Sequence, residues 1–377
     1  MTRATLEVRV PGKLMLLGEY AVLDPGAPAL VLAVDRSVRV RLEPAGELRL
    51  DCPDIGIEAL GGRLTANGVQ WNADDDAPDP AKLRFVDQTL SLVIALTRAA
   101  GREPAPFHMR VTSELGAGSA KAGLGSSASV AVAVAAAALR WCGFDVEGGV
   151  GRTRLFQVAA VAHHLAQGRR GSGADVAAAV AGGIVAYRNP GFEELLRDVS
   201  DRANDAAGAA AAIQERTWDR LRLDDIPWPA GHAFVSAATG VAASTTQLID
   251  RVTRLDGRAA DSFRRLKSEL GELARRAIDE PTAASLGAAM RAHQQALERF
   301  DDANGGLGIV TPAIRALVAS AAELGVAAKI SGAGGGDSVV ALVPRERVAA
   351  LTAAYGAAGA ETFAVLEPVA GATVRAV

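Results

Sequence analysis

A two-domain α+β architecture is what the sequence predicts, and three observations carry the expectation. At 377 residues the chain is long for one hydrophobic core, so two are expected, and a composition of 49% hydrophobic residues can fill both. Segments of strand and helix character interleave without the run of equal βα units that would close a barrel. A variable, alanine-rich stretch at 189–229, ending in Pro227-Trp-Pro229, marks the junction between an N-terminal domain at 1–188 and a C-terminal domain at 230–377.

The elements follow in order. Residues 6–10 alternate apolar and polar as a strand, Pro11-Gly12 reads as a turn, and 29–42 gives two further strand runs joined around Asp35-Arg36. The acidic stretch 74–80 reads as an exposed loop, 81–100 carries a helical apolar period, and 107–114 alternates as a strand. The next helix, 127–141, is apolar on every face and must be buried. A helix at 153–166, a glycine-arginine loop at 168–174, a short helix at 175–181 and a strand at 184–187 complete the first half. The second half reads as a strand at 233–237, helices near 244–255, 259–278, 282–300 and 312–324, and strands at 327–330 and 338–343 around a glycine loop at 332–336. A helix from Arg345 and a strand at 362–366 end the pattern, and no internal repeat is visible.

Bulk properties narrow the partners to small molecules. A net charge of -3 offers no global field for nucleic acid or an anionic membrane, and the chain is expected as a monomer or homodimer. Cys52 and Cys142 are too few for a disulfide framework or a zinc cluster, which suits a reducing cytoplasm. The first strand follows no charged and apolar leader, and the longest apolar run, 128–139, is too short to span a membrane.

The most informative segment is Lys121-Ala-Gly-Leu-Gly-Ser-Ser-Ala-Ser129, which delivers glycines and hydroxyls into an alanine-rich helix. A helix start presents unpaired N–H groups and a positive dipole end, and Gly123 and Gly125 let the backbone wrap an anion. In that reading Ser126 caps the helix, and the free Ser127 hydroxyl suits a magnesium ion bridging nucleotide phosphates. The alternative is a plain glycine turn with serine caps. A Walker loop is excluded, because Ser-Ser-Ala-Ser stands where its lysine belongs. Gly123-x-Gly125-x-x-Ala128, with Asp145 and Glu147 downstream, fits a loose dinucleotide fingerprint. That fingerprint requires a buried parallel strand directly before it, whereas 107–114 alternates and 115–122 intervenes, so a dehydrogenase ranks second. Only five of the forty basic residues are lysines, and Lys13, Lys121 and Lys329 lie beside glycine-rich segments while Lys82 and Lys267 lie in ordinary helical text. A lysine is a compact charge suited to a single phosphate oxygen.

Four segments resemble the motifs of the GHMP kinase superfamily: Pro11-Gly-Lys-Leu-Met-Leu-Leu-Gly-Glu-Tyr20, the Lys121–Ser129 loop, Gly171-Ser-Gly-Ala-Asp175, and Ser331-Gly-Ala-Gly-Gly-Gly-Asp-Ser338. The likeness spans nearly the whole chain and is greatest to the phosphomevalonate kinase family. It rests on Gly18-Glu-Tyr-Ala-Val22, Val34-Asp-Arg36, the lysine two places before Gly123, Gln167-Gly168, and Thr239-Gly-x-x-Ala-Ser-Thr245. Ala238 and Ala242 depart from it, standing where tryptophan and proline are expected.

The resemblance implies a ribosomal-protein-S5-like N-terminal domain and a ferredoxin-like C-terminal domain, with ATP and Mg2+ acting on 5-phosphomevalonate. It makes Lys13, Lys121 and Asp175 the catalytic set, with Asp175 as base, as holder of Lys13 or magnesium, or simply as a helix cap. Gly123, Leu124, Gly125, Ser126, Ser127, Ala128, Gly334 and Gly335 fall to ATP, with Ser127 as metal ligand. Glu19, Tyr20, Arg169, Arg170, Ser172, Ser244, Thr245, Gly332 and Ala333 fall to the acceptor. Bland alternatives stand beside several: packing for Tyr20, a solvated loop for the two arginines, capping for Ser244 and a hairpin for 332–336. Counting back from Asp175 to the glutamate that mevalonate kinases use for metal lands on His164. The remaining histidines, His108, His163, His232 and His293, read as structural. Mevalonate kinase, a sugar kinase of the same fold and a catalytically silent ligand sensor are the remaining alternatives.

Overall fold

The computed structural model of the protein describes residues 4–65, 68–72, 79–115, 123–199, 205–240, 245–336 and 338–377. Two sheets organise these residues. The first runs in the order Thr373–Ala376, Leu6–Leu17, Pro28–Pro44, Phe107–Ser113, Leu48–Cys52, Ile57–Thr65 and Gly68–Trp71. Ile184–Arg188 pairs with the front of Pro28–Pro44 and carries Arg222–Ile226 on its other edge. Phe107–Ser113 is antiparallel to one neighbour and parallel to the other, so this is a mixed sheet and not the doubly wound parallel sheet of a dehydrogenase.

The expected turn at Pro11-Gly12 is absent. Leu6–Leu17 is one strand of 12 residues, and opposite it Pro28–Pro44 is one strand of 17, where two runs were expected. The register jumps there from Pro11 opposite Ser37 to Gly12 opposite Val34. A β-bulge thus absorbs Asp35 and Arg36, and proline, which has no N–H for the ladder, is tolerated at such a break.

The second sheet is antiparallel in the order Ala327–Ile330, Ser338–Pro344, His232–Ala238, Thr362–Leu366. Numbered along the chain its strands lie 4-1-3-2, with helices between the first and second and between the third and fourth. Gly257–Asp279 and Ala283–Ala303 pack against each other as a pair.

Ser126–Trp141 is the buried helix the sequence requires. It lies between the strands Leu6–Leu17 and Pro28–Pro44 on one side and the helices Pro80–Ala99 and Gly148–Ala166 on the other. Alanines at 133 and 135–138 are small enough to let all of these approach at once. Ser129 ties the helix to the strand by donating from Oγ to the Pro11 carbonyl at 2.8 Å. The stretch 189–229 contributes structure to this half: Ala206–Glu215 packs on Pro80–Ala99 and Arg222–Ile226 joins the first sheet. The two halves share a further core in which Leu14, Leu16 and Leu32 meet Phe234, Met290 and Val340.

Candidate active site

The site begins with alternation along Leu6–Leu17. Leu14 and Leu16 point into the core between the two halves, so Lys13 and Met15 face the opposite way, into a cleft of about 1090 Å³. Lys13 N–H donates to the Leu124 carbonyl at 2.9 Å, clamping the strand to the loop before the buried helix. Two glycines permit that approach. A Cβ on Gly12 would lie 2.9 Å from Leu124 O, and one on Gly125, where φ is +74°, would lie 2.9 Å from Lys13 Cγ. The Lys13 side chain, 9% exposed, donates from Nζ to Gly123 O at 3.1 Å and stands 3.8 Å from Asp175 Oδ2.

Capping at the helix start differs from the expectation. Gly125, in the left-handed conformation, is the N-cap, and Ser126 is the first helical residue, so no serine side chain closes the end. The first i→i−4 bond is Ser129 N–H to Gly125 O at 3.0 Å. The N–H groups of Ser126, Ser127 and Ala128 precede it and are available to an anion. Ser127 is not free either: its Oγ lies 3.0 Å from His163 Nε2, which also takes Gln167 Nε2 at 2.9 Å. His163, read as structural from the sequence, therefore belongs to the site. The expected counterpart, His164, stacks on Phe192 at 4.9 Å with Nδ1 3.3 Å from Gly171 O. A helix turns about 100° per residue, so neighbouring side chains cannot both face the cleft's serine, and here His163 is the one that does.

Asp175 lies in the first turn of Ala174–Ala181, behind the N-cap Gly173. Its carboxylate, 35% exposed, is turned to Lys13, so the capping alternative falls. Ser172 accepts Ala174 N–H at 3.3 Å and its carbonyl takes the Tyr187 hydroxyl, making it a brace for this turn. Arg169 is spent on backbone, donating to the carbonyls of Leu196 and Val199. Arg170 crosses the cleft mouth to Asp250, 3.1 Å from both carboxylate oxygens.

The loop after Ala327–Ile330 reaches the cleft through Gly332 and Ala333. Gly334 and Gly335 instead lean on Ile309, whose carbonyl accepts Gly335 N–H at 2.9 Å and would lie 2.3 Å from a Cβ on Gly334. The loop does join adjacent antiparallel strands, so it is also the hairpin that was the alternative. Tyr20, at φ +59°, donates its hydroxyl to Ala333 O at 2.5 Å and packs edge-on against Phe263. Glu19 is 2% exposed; its Oε1 takes Lys329 Nζ and Gly332 N–H at 3.3 Å, and its Oε2 stands 3.0 Å from His293 Nε2. Burial by itself would raise the Glu19 carboxyl, but Lys329 and His293 outweigh it and hold it well below the usual carboxylate range. Glu19 and Tyr20 thus bind the two halves together at the edge of the cleft. Lys121 and Ser244 lie outside the described residues, as does the side chain of Thr245.

Sequence reasoning missed three contributors besides His163. Lys82 and Arg84, on the first turns of Pro80–Ala99, line the cleft, and the only signal was their place after the expected loop. Gln167, which the resemblance marks without a role, holds the His163 ring through Nε2. For metal, the donors on offer are the Ser127 hydroxyl and the Asp175 carboxylate. Such hard oxygens fit a magnesium ion carried in on nucleotide phosphates, and the described residues contain no cluster of three His, Cys, Asp or Glu that would make a separate cage.

Burial pushes both His163 and His164 down to about 4, with a weaker pull upward from Asp175 on the first and from the Gly171 carbonyl on the second. Unfolded histidines titrate near 6.5, so between that value and about 4 the unfolded chain binds protons that the native state refuses. The thermal midpoint is expected to fall as pH drops through that window, and His164→Phe should flatten the fall. A slope unchanged by the substitution would contradict it.

Comparison with known proteins agrees with this architecture. The family model described as GHMP kinases N terminal domain matches residues 87–183, and GHMP kinases C terminal matches 274–361. A curated phosphomevalonate kinase from Streptomyces sp. (strain CL190) is 33% identical over 355 residues, covering 91% of each chain. Among solved structures, a Lin0012 protein from Listeria innocua superposes with a TM-score of 0.82 at 25% identity, covering 98% of this chain and 99% of that one. Streptococcus pneumoniae phosphomevalonate kinase in complex with phosphomevalonate and AMPPNP gives 0.77 at 22% identity, covering 96% and 99%. With the Streptomyces relative matched over nine-tenths of both chains, the protein belongs to the GHMP kinases, in the company of the phosphomevalonate kinases.

Proposed function

We propose that the protein transfers the γ-phosphoryl group of ATP to the phosphate of 5-phosphomevalonate, forming the diphosphate and ADP, in the cytoplasm. The observation that carries the reading is the Lys13 ammonium held between Gly123 O and Asp175 at the open amide end of a buried helix. The Streptomyces relative supports the acceptor. Cys52 and Cys142 are both buried and form no disulfide, which suits a reducing compartment.

In this mechanism the N–H groups of Ser126, Ser127 and Ala128 cradle the β- and γ-phosphates, and the helix dipole favours their charge. The apolar wall of Ile55, Val86 and Val111 takes the base. Lys13 meets the charge on the transferring group, whose transition state is loose and strongly anionic, so that placement and neutralisation do most of the catalysis. Magnesium, when bound through Ser127, supplies further charge neutralisation. An acceptor phosphate oxygen attacks the γ-phosphorus while its bond to the β-phosphate oxygen breaks, and ADP leaves with that electron pair. Lys121, Arg170 and the Gly332-Ala333 edge hold the acceptor. When 5-phosphomevalonate displaces Asp250, Arg170 becomes available.

The acceptor phosphate is largely ionised at neutral pH, so no hydroxyl needs a base. Asp175 therefore serves as the partner that fixes Lys13. Asp175→Asn is expected to lower kcat by about tenfold, whereas removal of an obligatory base costs about 10²–10⁴-fold. A loss in the larger range would reinstate the base.

The reading as a whole is tested by ADP release with mevalonate, 5-phosphomevalonate and galactose as separate acceptors. Release with 5-phosphomevalonate alone is expected. Release with mevalonate or galactose instead would move the protein to the runner-up kinases, and no release with any acceptor would favour a silent ligand sensor.

A further inference from the structure

The contact between Ser127 and His163 asks for more than a packing account. His163 sits on Gly148–Ala166, a different helix from Ser127, and its ring is fixed from three sides. Phe85 stacks on its face at 5.3 Å with planes 24° apart, Gln167 one turn along the same helix meets Nε2 at 2.9 Å, and Ser127 Oγ meets the same nitrogen at 3.0 Å. The Gln167 amide donates, so Nε2 is the lone-pair nitrogen and the Ser127 hydroxyl must donate to it as well. A serine hydroxyl that donates its hydrogen bond in a fixed direction has its oxygen lone pairs turned elsewhere. Ser127 lines the cleft at the first turn of the helix, and the lone pairs then face the space where the amides collect phosphate.

We propose that His163 is a positioning residue for nucleotide-bound metal: its Nε2 accepts a hydrogen bond from the Ser127 hydroxyl and so holds the Ser127 oxygen as a ready ligand. The inference rests on the phosphotransfer reading above. His163 touches neither nucleotide nor acceptor in this role. Outer-shell partners of this kind fix the orientation of a ligand, and losing one typically weakens metal binding by about 10–100-fold.

The test uses Mn2+ as the probe, its binding to the full-length enzyme·ADP complex read by electron paramagnetic resonance, with ADP affinity measured separately in chelator. His163→Gln and His163→Asn form the decisive pair, because a glutamine amide reaches the position of Nε2 and an asparagine amide stops near Nδ1. His163→Asn is expected to raise the Mn2+ dissociation constant about tenfold, within the usual range for outer-shell losses, while ADP affinity in chelator stays unchanged. His163→Gln is expected within about threefold of the parent enzyme, against that same range. Ser127→Ala should match His163→Asn, and the double variant should lose no more than either single one.

Equal losses in the asparagine and glutamine variants, or parent-like Mn2+ binding in the asparagine variant, would overturn the proposal. Should His163→Asn fail to fold by its melting curve, Ser127→Ala and Gln167→Leu carry the same test. Ser127→Ala must then weaken Mn2+, and Gln167→Leu, which leaves Nε2 to Ser127 alone, must not. The binding arms read independently of acceptor turnover. A parent enzyme that fails to release ADP with 5-phosphomevalonate would sink the assigned reaction while leaving the metal result standing.

Discussion

Lys13→Met is expected to lower kcat by about 10²–10³-fold, the usual loss when one preorganised donor to a developing anion is removed. Methionine keeps the length and apolar stem that pack over Gly125, so the change removes charge and little else. ATP affinity should fall less, because the open amides of Ser126, Ser127 and Ala128 remain to hold the phosphates. Arginine is not a rescue. Its planar fork needs room in two directions, and Lys13 runs past Gly125 so closely that even a Cβ there would lie 3.0 Å from Cε. Steady-state kinetics with ATP and 5-phosphomevalonate check this, with ATP binding measured by calorimetry. A methionine variant within tenfold of the parent kcat would remove Lys13 from the chemistry.

Glu19→Leu carries the largest expected effect on stability. Lys329 has no exposed side-chain surface, and Glu19 is the carboxylate that meets it, across the boundary between the first strand and the second sheet. Removing one partner of a buried pair leaves the other charged and without compensation, which costs about 3–5 kcal/mol. Burial already pulls the Lys329 ammonium below its usual range, and Glu19 opposes that pull. The single substitution should therefore lower the thermal midpoint by about 10 °C. Pairing it with Lys329→Met removes both charges and should recover much of the loss, because an apolar pair of similar volume is often as stable as a buried ion pair. A single variant melting with the parent, or a double variant worse than the single, would contradict this role.

The same residue shows where the sequence stops being readable. Glu19 and Tyr20 lie in a motif that the resemblance assigns to the acceptor, and nothing in local spacing reveals that Lys329 and His293, some three hundred residues away in sequence, consume the Glu19 carboxylate. What was legible depended on local physics. The apolar text of 127–141 allowed no place but the interior, and Pro312 and Thr282 marked helix starts that the structure keeps, the latter with its side chain accepting Ser285 N–H. Lys13 and Asp175 were found because both stand in recognisable motifs, and the fold then brings them within 3.8 Å.

Other features depended on partners that a linear reading cannot see. Pro11-Gly12 has the residues of a turn, yet pairing with Pro28–Pro44 on either side of the Asp35-Arg36 bulge keeps it extended, and the Leu124 carbonyl holds the next residue, Lys13, in place. Ala206–Glu215 reads as low-complexity alanine, and becomes a helix with an Asp205 cap and a buried face against Pro80–Ala99. His163 and His164 are adjacent in sequence, and only the helix's orientation decides which of them reaches Ser127.

In the proposed complex the leading amides of Ser126–Trp141 hold the nucleotide's phosphates with Lys13 beside the group in transit. A crystal structure with AMPPNP, magnesium and 5-phosphomevalonate tests it directly. Phosphate oxygens are expected within hydrogen-bond reach of the Ser126, Ser127 and Ala128 amides, with Lys13 Nζ within about 3 Å of a γ-phosphate oxygen. Phosphates lodged elsewhere in the cleft, with that helix end left empty, would contradict it.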